Sequence, residues 1–142
     1  MKTLDYQVIN IYDYHSTKDN FMKFIAEYNA IKLECASLNL PKITSSWSER
    51  TSPTNYPESK TEIYVARKIE LENKYFEFFD KIKLVFSTLS AEEQAYFVSR
   101  FEEGMTEAYY EEKENISHKH LIHLNKSCII KFATVLGFAV RK

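Results

Sequence analysis

Nine residues near the end of the chain hold His118, Lys119, His120, His123 and Lys126, a concentration of imidazole and ammonium groups with two chemistries open to it. Imidazoles bind metals, and both group types bind phosphates or base edges. A closed zinc shell needs about four ligands, yet at helical spacing only His120 and His123 share a face, and no Cys or Glu lies near enough to complete the set. No metal and no cofactor is therefore expected.

The anion reading gains from the charge distribution. The whole chain of 142 residues carries a net charge of -1, which taken as an average speaks against a nucleic-acid binder. The average hides an asymmetry: residues 1–114 hold 14 basic and 20 acidic side chains, a balance of -6, whereas residues 115–142 hold Lys119, Lys126, Lys131, Arg141 and Lys142 and no acid at all, a balance of +5. The anion-binding surface is expected at the C-terminal end.

The elements that must position these groups are helices. Only 2 Gly and 3 Pro punctuate the chain, too few for the turns of an all-β protein. Apolar residues at Phe21, Phe24, Ile25, Tyr28, Ile31, Cys35 and Leu38 predict a first amphipathic helix, starting near Ser16 or Thr17. Residues 39–59 hold Pro41, Pro53 and Pro57 among Ser, Thr and Asn and read as a linker, whose Trp47 either covers its own domain or anchors a partner. A long central helix follows from about Lys60 to Thr88, with Ile63, Ala66, Ile69, Tyr75, Phe76, Phe79, Ile82, Val85 and Phe86 expected on its inner stripe. Ser90 and Glu93 form a capping box that opens the next helix, and Gly104 ends it. A short helix over Thr106–Lys113, a turn at Glu114-Asn115-Ile116, and a longer helix capped by Ser117 and running to Gly137 then have the layout of a helix-turn-helix at about 106–137.

In the last helix Leu121, Leu124, Cys128, Phe132 and Val135/Leu136 are expected inside, and His118, Lys119, Ile122, His123 and Lys126 outside. Lys119, His120 and His123 would read base edges, Lys126 would meet a phosphate, and the free amides beside Ser117 would favour another. A merely solvated cationic face is the alternative for the same residues. Catalysis is not expected: no phosphate-cradling loop, HExxH or nucleophile elbow occurs, and Glu92/Glu93 and Glu111/Glu112 read as solvated pairs. Cys35 and Cys128, far apart and without CxxC spacing, read as reduced packing residues. No stretch suggests a signal peptide or a membrane span, so a cytoplasmic protein is expected.

From Ser59-Lys60-Thr61-Glu62, through Leu89-Ser90-Ala91-Glu92-Glu93, to Asn115-Ile116-Ser117-His118-Lys119-His120 and Leu136-Gly137, the chain resembles the RinA/ArpU-like late-gene transcriptional regulators of phages from Gram-positive bacteria, and also sigma factor region 4. The resemblance implies an all-α protein with an N-terminal helical segment (1–38), a linker (39–59) and a helical domain (60–142) whose last helix meets promoter DNA. It further implies activation of a phage late operon in a bacterial host cell, with RNA polymerase as a further partner. The sequence leaves the oligomeric state open: a homodimer, formed through the first helix or the aromatic face of the central helix, would fit two half-sites. Ser117, His118, Lys119, His120, Ile122, His123 and Lys126 become the DNA-contacting candidates. Where relatives often carry Arg or Thr, this chain has His120, Leu121 and His123. The competing reading is a helical interaction module, an antirepressor or adaptor, that binds no specific DNA.

Overall fold

The computed structural model describes residues 3–39 and 57–142. Among them the chain is helical throughout, with no strand and a single antiparallel bridge between Tyr12 and Arg141. The helices are α1 (Tyr6–Ile9), α2 (Tyr14–Asn39), α3 (Pro57–Phe86), α4 (Ala91–Phe97), continued by a π-helical turn over Val98–Glu102, then α5 (Glu107–Glu114) and α6 (His118–Leu136). The segment 40–56, with Trp47, Pro41 and Pro53, lies outside the described residues. Asn39 closes α2 and Pro57 opens α3, a place where a missing N–H costs nothing.

Local chemistry explains the helix boundaries. The first long helix begins at Tyr14, ahead of the expected Ser16, because the Asp13 carboxylate accepts from both the Ser16 amide (3.3 Å) and its hydroxyl (3.1 Å). The capping box is present: Ser90 Oγ accepts from Glu93 N (3.2 Å) and Glu93 Oε1 accepts from Ser90 N (2.9 Å). Thr106 and Ser117 cap α5 and α6 through the Tyr109 and His120 amides, each in extended backbone. Asn115 (φ 53°) and Gly137 (φ 85°) end those two helices in the left-handed conformation, which asparagine tolerates and glycine adopts freely.

Two compact units emerge, residues 1–26 with 80–142, and residues 27–79. The boundaries fall within α2 and α3, not at the proline-bearing segment. In the larger unit α6 is the pillar: residues 127–133 are buried on every side, from Ser127 to Ala133. Phe132 stacks on Phe97 (4.6 Å) and meets Phe21 edge-on (5.4 Å), and Phe21 in turn meets Phe101. Backbone bonds from Asp13 N to Val140 O (2.8 Å) and Lys142 N to Ile11 O (3.1 Å), with Thr17 Oγ1 accepting from Val140 N (3.0 Å), tie the end of the chain to its beginning.

Charged and polar groups also enter this interior. Glu93, expected on a solvated face, is fully buried: its carboxylate accepts from Lys131 Nζ (2.6 Å), Ser127 Oγ (2.6 Å) and the Ser90 amide. Lys131 also donates to Thr88 O (3.1 Å), so this lysine, counted by sequence among the anion-binding charges, neutralises an internal carboxylate instead. A second network runs from Arg100 Nε to Tyr96 Oη (3.4 Å), from Tyr96 to Asn125 Oδ1 (2.8 Å), and from Asn125 Nδ2 to Tyr14 Oη (2.6 Å). Burial, with Glu107 adding to it, pushes the Tyr14 phenol up to about 12. Burial likewise raises Tyr96 and the fully enclosed Cys128 thiol.

Among the described residues the smaller unit consists of two helical stretches, the C-terminal part of α2 and most of α3. Tyr28 stacks between Tyr75 (6.1 Å) and Phe78 (6.2 Å), Lys32 Nζ lies 5.0 Å from the Tyr28 ring, and Tyr64 Oη donates to Leu38 O. Here the expected inner stripe is corrected: Ile63, Ile69, Phe76 and Phe79 are exposed, and Leu71 is buried. Tyr64, Leu71, Tyr75 and Phe78 stand at seven, four and three-residue steps along one face, and their side chains fill the inner side.

Candidate nucleic-acid interface

The seven candidates gather around the first two turns of α6. Between α5 and α6 lie only Asn115, Ile116 and Ser117, and the left-handed Asn115 reverses the chain sharply enough to bring α5 alongside the start of α6. A three-residue connection of this kind joins the two helices of a helix-turn-helix.

The side chains divide by what they touch. Lys119 and Ile122 are exposed on the outer face. His118 Nδ1 lies 2.6 Å from Glu111 Oε1 of α5, and His120 Nε2 lies 2.5 Å from Glu92 Oε1 of α4, so the first turn of α6 is fastened to both preceding helices. Lys126 is half-buried with its ammonium 5.2 Å from the Tyr14 ring. His123 departs from its expected outward position. Its ring packs 4.3 Å from that of Tyr6, and its Nδ1 is enclosed without a hydrogen-bond partner. Ser117 spends its hydroxyl on the His120 amide.

Electrostatically the face is mixed. Glu111 and Glu92 meet His118 and His120, the neighbours of Lys119 in sequence, and α5 itself carries Glu107, Glu111, Glu112 and Glu114 against Lys113. Arg100, the cation nearest α5 from the π-helical turn, donates to Met105 O and pairs with Glu107 at 3.5 Å, so it braces the turn at Gly104 instead of facing outward. Sequence reasoning missed Glu92, Glu111, Tyr6 and Tyr14 as partners of the candidates. Glu111 and His118, seven residues apart across a turn, offered a faint signal; Glu92 and His120, 28 apart, offered none.

No group of three or more His, Cys, Asp or Glu side chains among the described residues converges as a metal shell. An apolar cleft of about 330 Å³ lies between the N-terminal residues Leu4, Val8 and Tyr12 and the α6 residues Ile130, Thr134 and Val135. No described helix is long and apolar enough to cross a membrane. No known protein family, curated protein or solved structure matches the chain.

Proposed function

We propose that the chain is a DNA-binding transcriptional regulator, not an enzyme, which in keeping with its RinA/ArpU-like resemblance activates late phage genes with the host RNA polymerase in the bacterial cytoplasm. The observation that carries this reading is the three-residue turn delivering a capped helix whose first two turns expose Lys119 and Ile122. In that role α6 enters the major groove, Lys119 and Ile122 approach base edges, and His118 and His120 exchange their glutamate partners for phosphate oxygens. Lys126 and Ser117 act behind them, the first by charge, the second by holding the helix start.

The test is a gel-shift titration against DNA flanking the gene, with excess unrelated competitor at two salt concentrations. A competitor-resistant, salt-sensitive shift is expected, weakened by Lys119→Ala without loss of helix content. Glu92→Gln and Glu111→Gln, which remove carboxylates from the approach surface, should each strengthen it severalfold. Absence of a shift on every fragment overturns the reading. The second reading, a helical adaptor or antirepressor, draws on the four glutamates of α5, which would repel a phosphate backbone and attract a basic partner. On that reading the two glutamine variants leave DNA behaviour unchanged.

A further inference from the structure

We infer that residues 4–9 form a strap poised to detach from α6, and that DNA and the strap compete for one side of that helix. The inference rests on the proposed function and adds to it a restraint built into the fold. Lys119, His123, Ser127 and Thr134 follow one another at steps of four, four and seven residues, so with 3.6 residues per turn they lie along one side of α6. That side starts in water at Lys119 and then runs beneath the N-terminal segment. Tyr6 lays its ring 4.3 Å from that of His123, Leu4 N donates to Ser127 Oγ (2.8 Å), and Leu4 and Val8 line the apolar cleft together with Thr134. A duplex that meets Lys119 therefore finds the next residue of the row, His123, already taken.

The contact has the marks of one made to open. His123 Nδ1 is enclosed without a partner, and whichever ring nitrogen carries the proton that atom goes unsatisfied, a cost that ends when the ring turns out to water or to a phosphate oxygen. The strap is also loosely packed. A cleft of about 330 Å³ lies between it and α6, and Tyr6 and Val8 stay 55% and 37% exposed, so release forfeits little dispersion energy. Ile9 is the one buried side chain of residues 4–9, and the amides of Ile9 and Asn10 bond to Asp5 O and Tyr6 O, within the strap's own turn. The chain just past it is held more firmly: Asp13 N bonds to Val140 O, Lys142 N bonds to Ile11 O, and Tyr12 bridges to Arg141, which sets the hinge near Asn10. A short element with few buried contacts is the kind that opens locally while the rest stays folded.

The test is the affinity of the full chain for the DNA fragments flanking its gene, by gel shift at fixed salt, for the unaltered chain, for Tyr6→Ala and for Tyr6→Ala with His123→Ala. Hydrogen exchange of the unaltered chain with and without the bound fragment accompanies it. Tyr6→Ala is expected to bind roughly threefold to tenfold more tightly, because less of the binding free energy goes into strap release, and His123→Ala added to it should cancel that gain. Bound DNA should speed exchange at residues 4–9 while slowing it over residues 118–126. A segment that merely supports α6 gives the opposite sign, with Tyr6→Ala binding equally or more weakly. That result overturns the inference, as does exchange at residues 4–9 that is no faster in the complex. Should Tyr6→Ala lose helix content by circular dichroism, exchange of the unaltered chain decides the matter alone. A shift that Tyr6→Ala fails to strengthen sinks the strap and leaves the DNA-binding regulator standing. No shift from either protein on any fragment sinks both, and a shift from the variant alone supports both.

Discussion

The unit formed by residues 1–26 and 80–142 and the unit formed by residues 27–79 are built from the same amphipathic helices, yet they use their apolar residues differently. In the first, α6 is surrounded, so Phe132, Ile129 and Ile130 are all buried although they point in different directions. In the second, two helical stretches share one contact line. Among its described residues Tyr28, Leu38 and Leu71 are buried, while Leu33 remains 71% exposed. A helix surrounded by neighbours can bury its whole circumference, whereas a helix in a pair buries one stripe and leaves the opposite one in water.

The comparison breaks most severely at the charged centre of the larger unit. Lys131→Met leaves the Glu93 carboxylate buried without its cation and is expected to cost about 3–5 kcal/mol in urea unfolding. Adding Glu93→Leu should recover much of that loss, because the double variant removes both charges. Recovery limited to a small fraction would mean that the Glu93 bonds to Ser90 and Ser127, more than the ion pair, hold α4 against α6.

An intermediate effect is expected at the tyrosine network. The Tyr14 phenol is protonated in the folded chain up to about 12 and in the unfolded chain only to about 10. Its contribution is therefore complete below pH 10 and lost as pH rises toward 12. Tyr14→Phe removes that part of the alkaline loss, visible as a flatter stability profile between those values. An unchanged profile would place the alkaline transition elsewhere in the larger unit.

The smallest effects belong to the smaller unit. Leu33→Ala and Ile63→Ala should change stability by no more than about 0.5 kcal/mol, since neither side chain leaves water on folding to a large extent. Losses of about 2 kcal/mol or more would show that these positions are covered in solution and would erase the contrast between the units.

Much of the framework was legible in the chain. Ser90 with Glu93, Ser117, and Gly137 announce helix ends because capping is settled by residues three or four apart, within reach of local chemistry. Leu121, Leu124, Cys128 and Phe132 were readable as an inner face for the same reason. The inner side of α3 was not, because that helix carries two apolar stripes and periodicity alone does not say which one meets a neighbour. Nor was the state of the candidate interface. His118, Lys119, His120, His123 and Lys126 look alike as a row of cationic groups, but folding sorts them into two glutamate pairs, an exposed lysine, an enclosed imidazole and a ring-stacked ammonium.

What the sequence by itself determined is the all-helical architecture, its caps and the crowding of cations after residue 114, since composition and short-range spacing act within a few residues. The tertiary structure alone decided which charges remain available. Lys131 and Glu93, 38 residues apart, become one neutral buried pair, and Glu92 reaches His120 across 28, because packing brings α4 and α6 together and electrostatics inside a protein depends on distance in space.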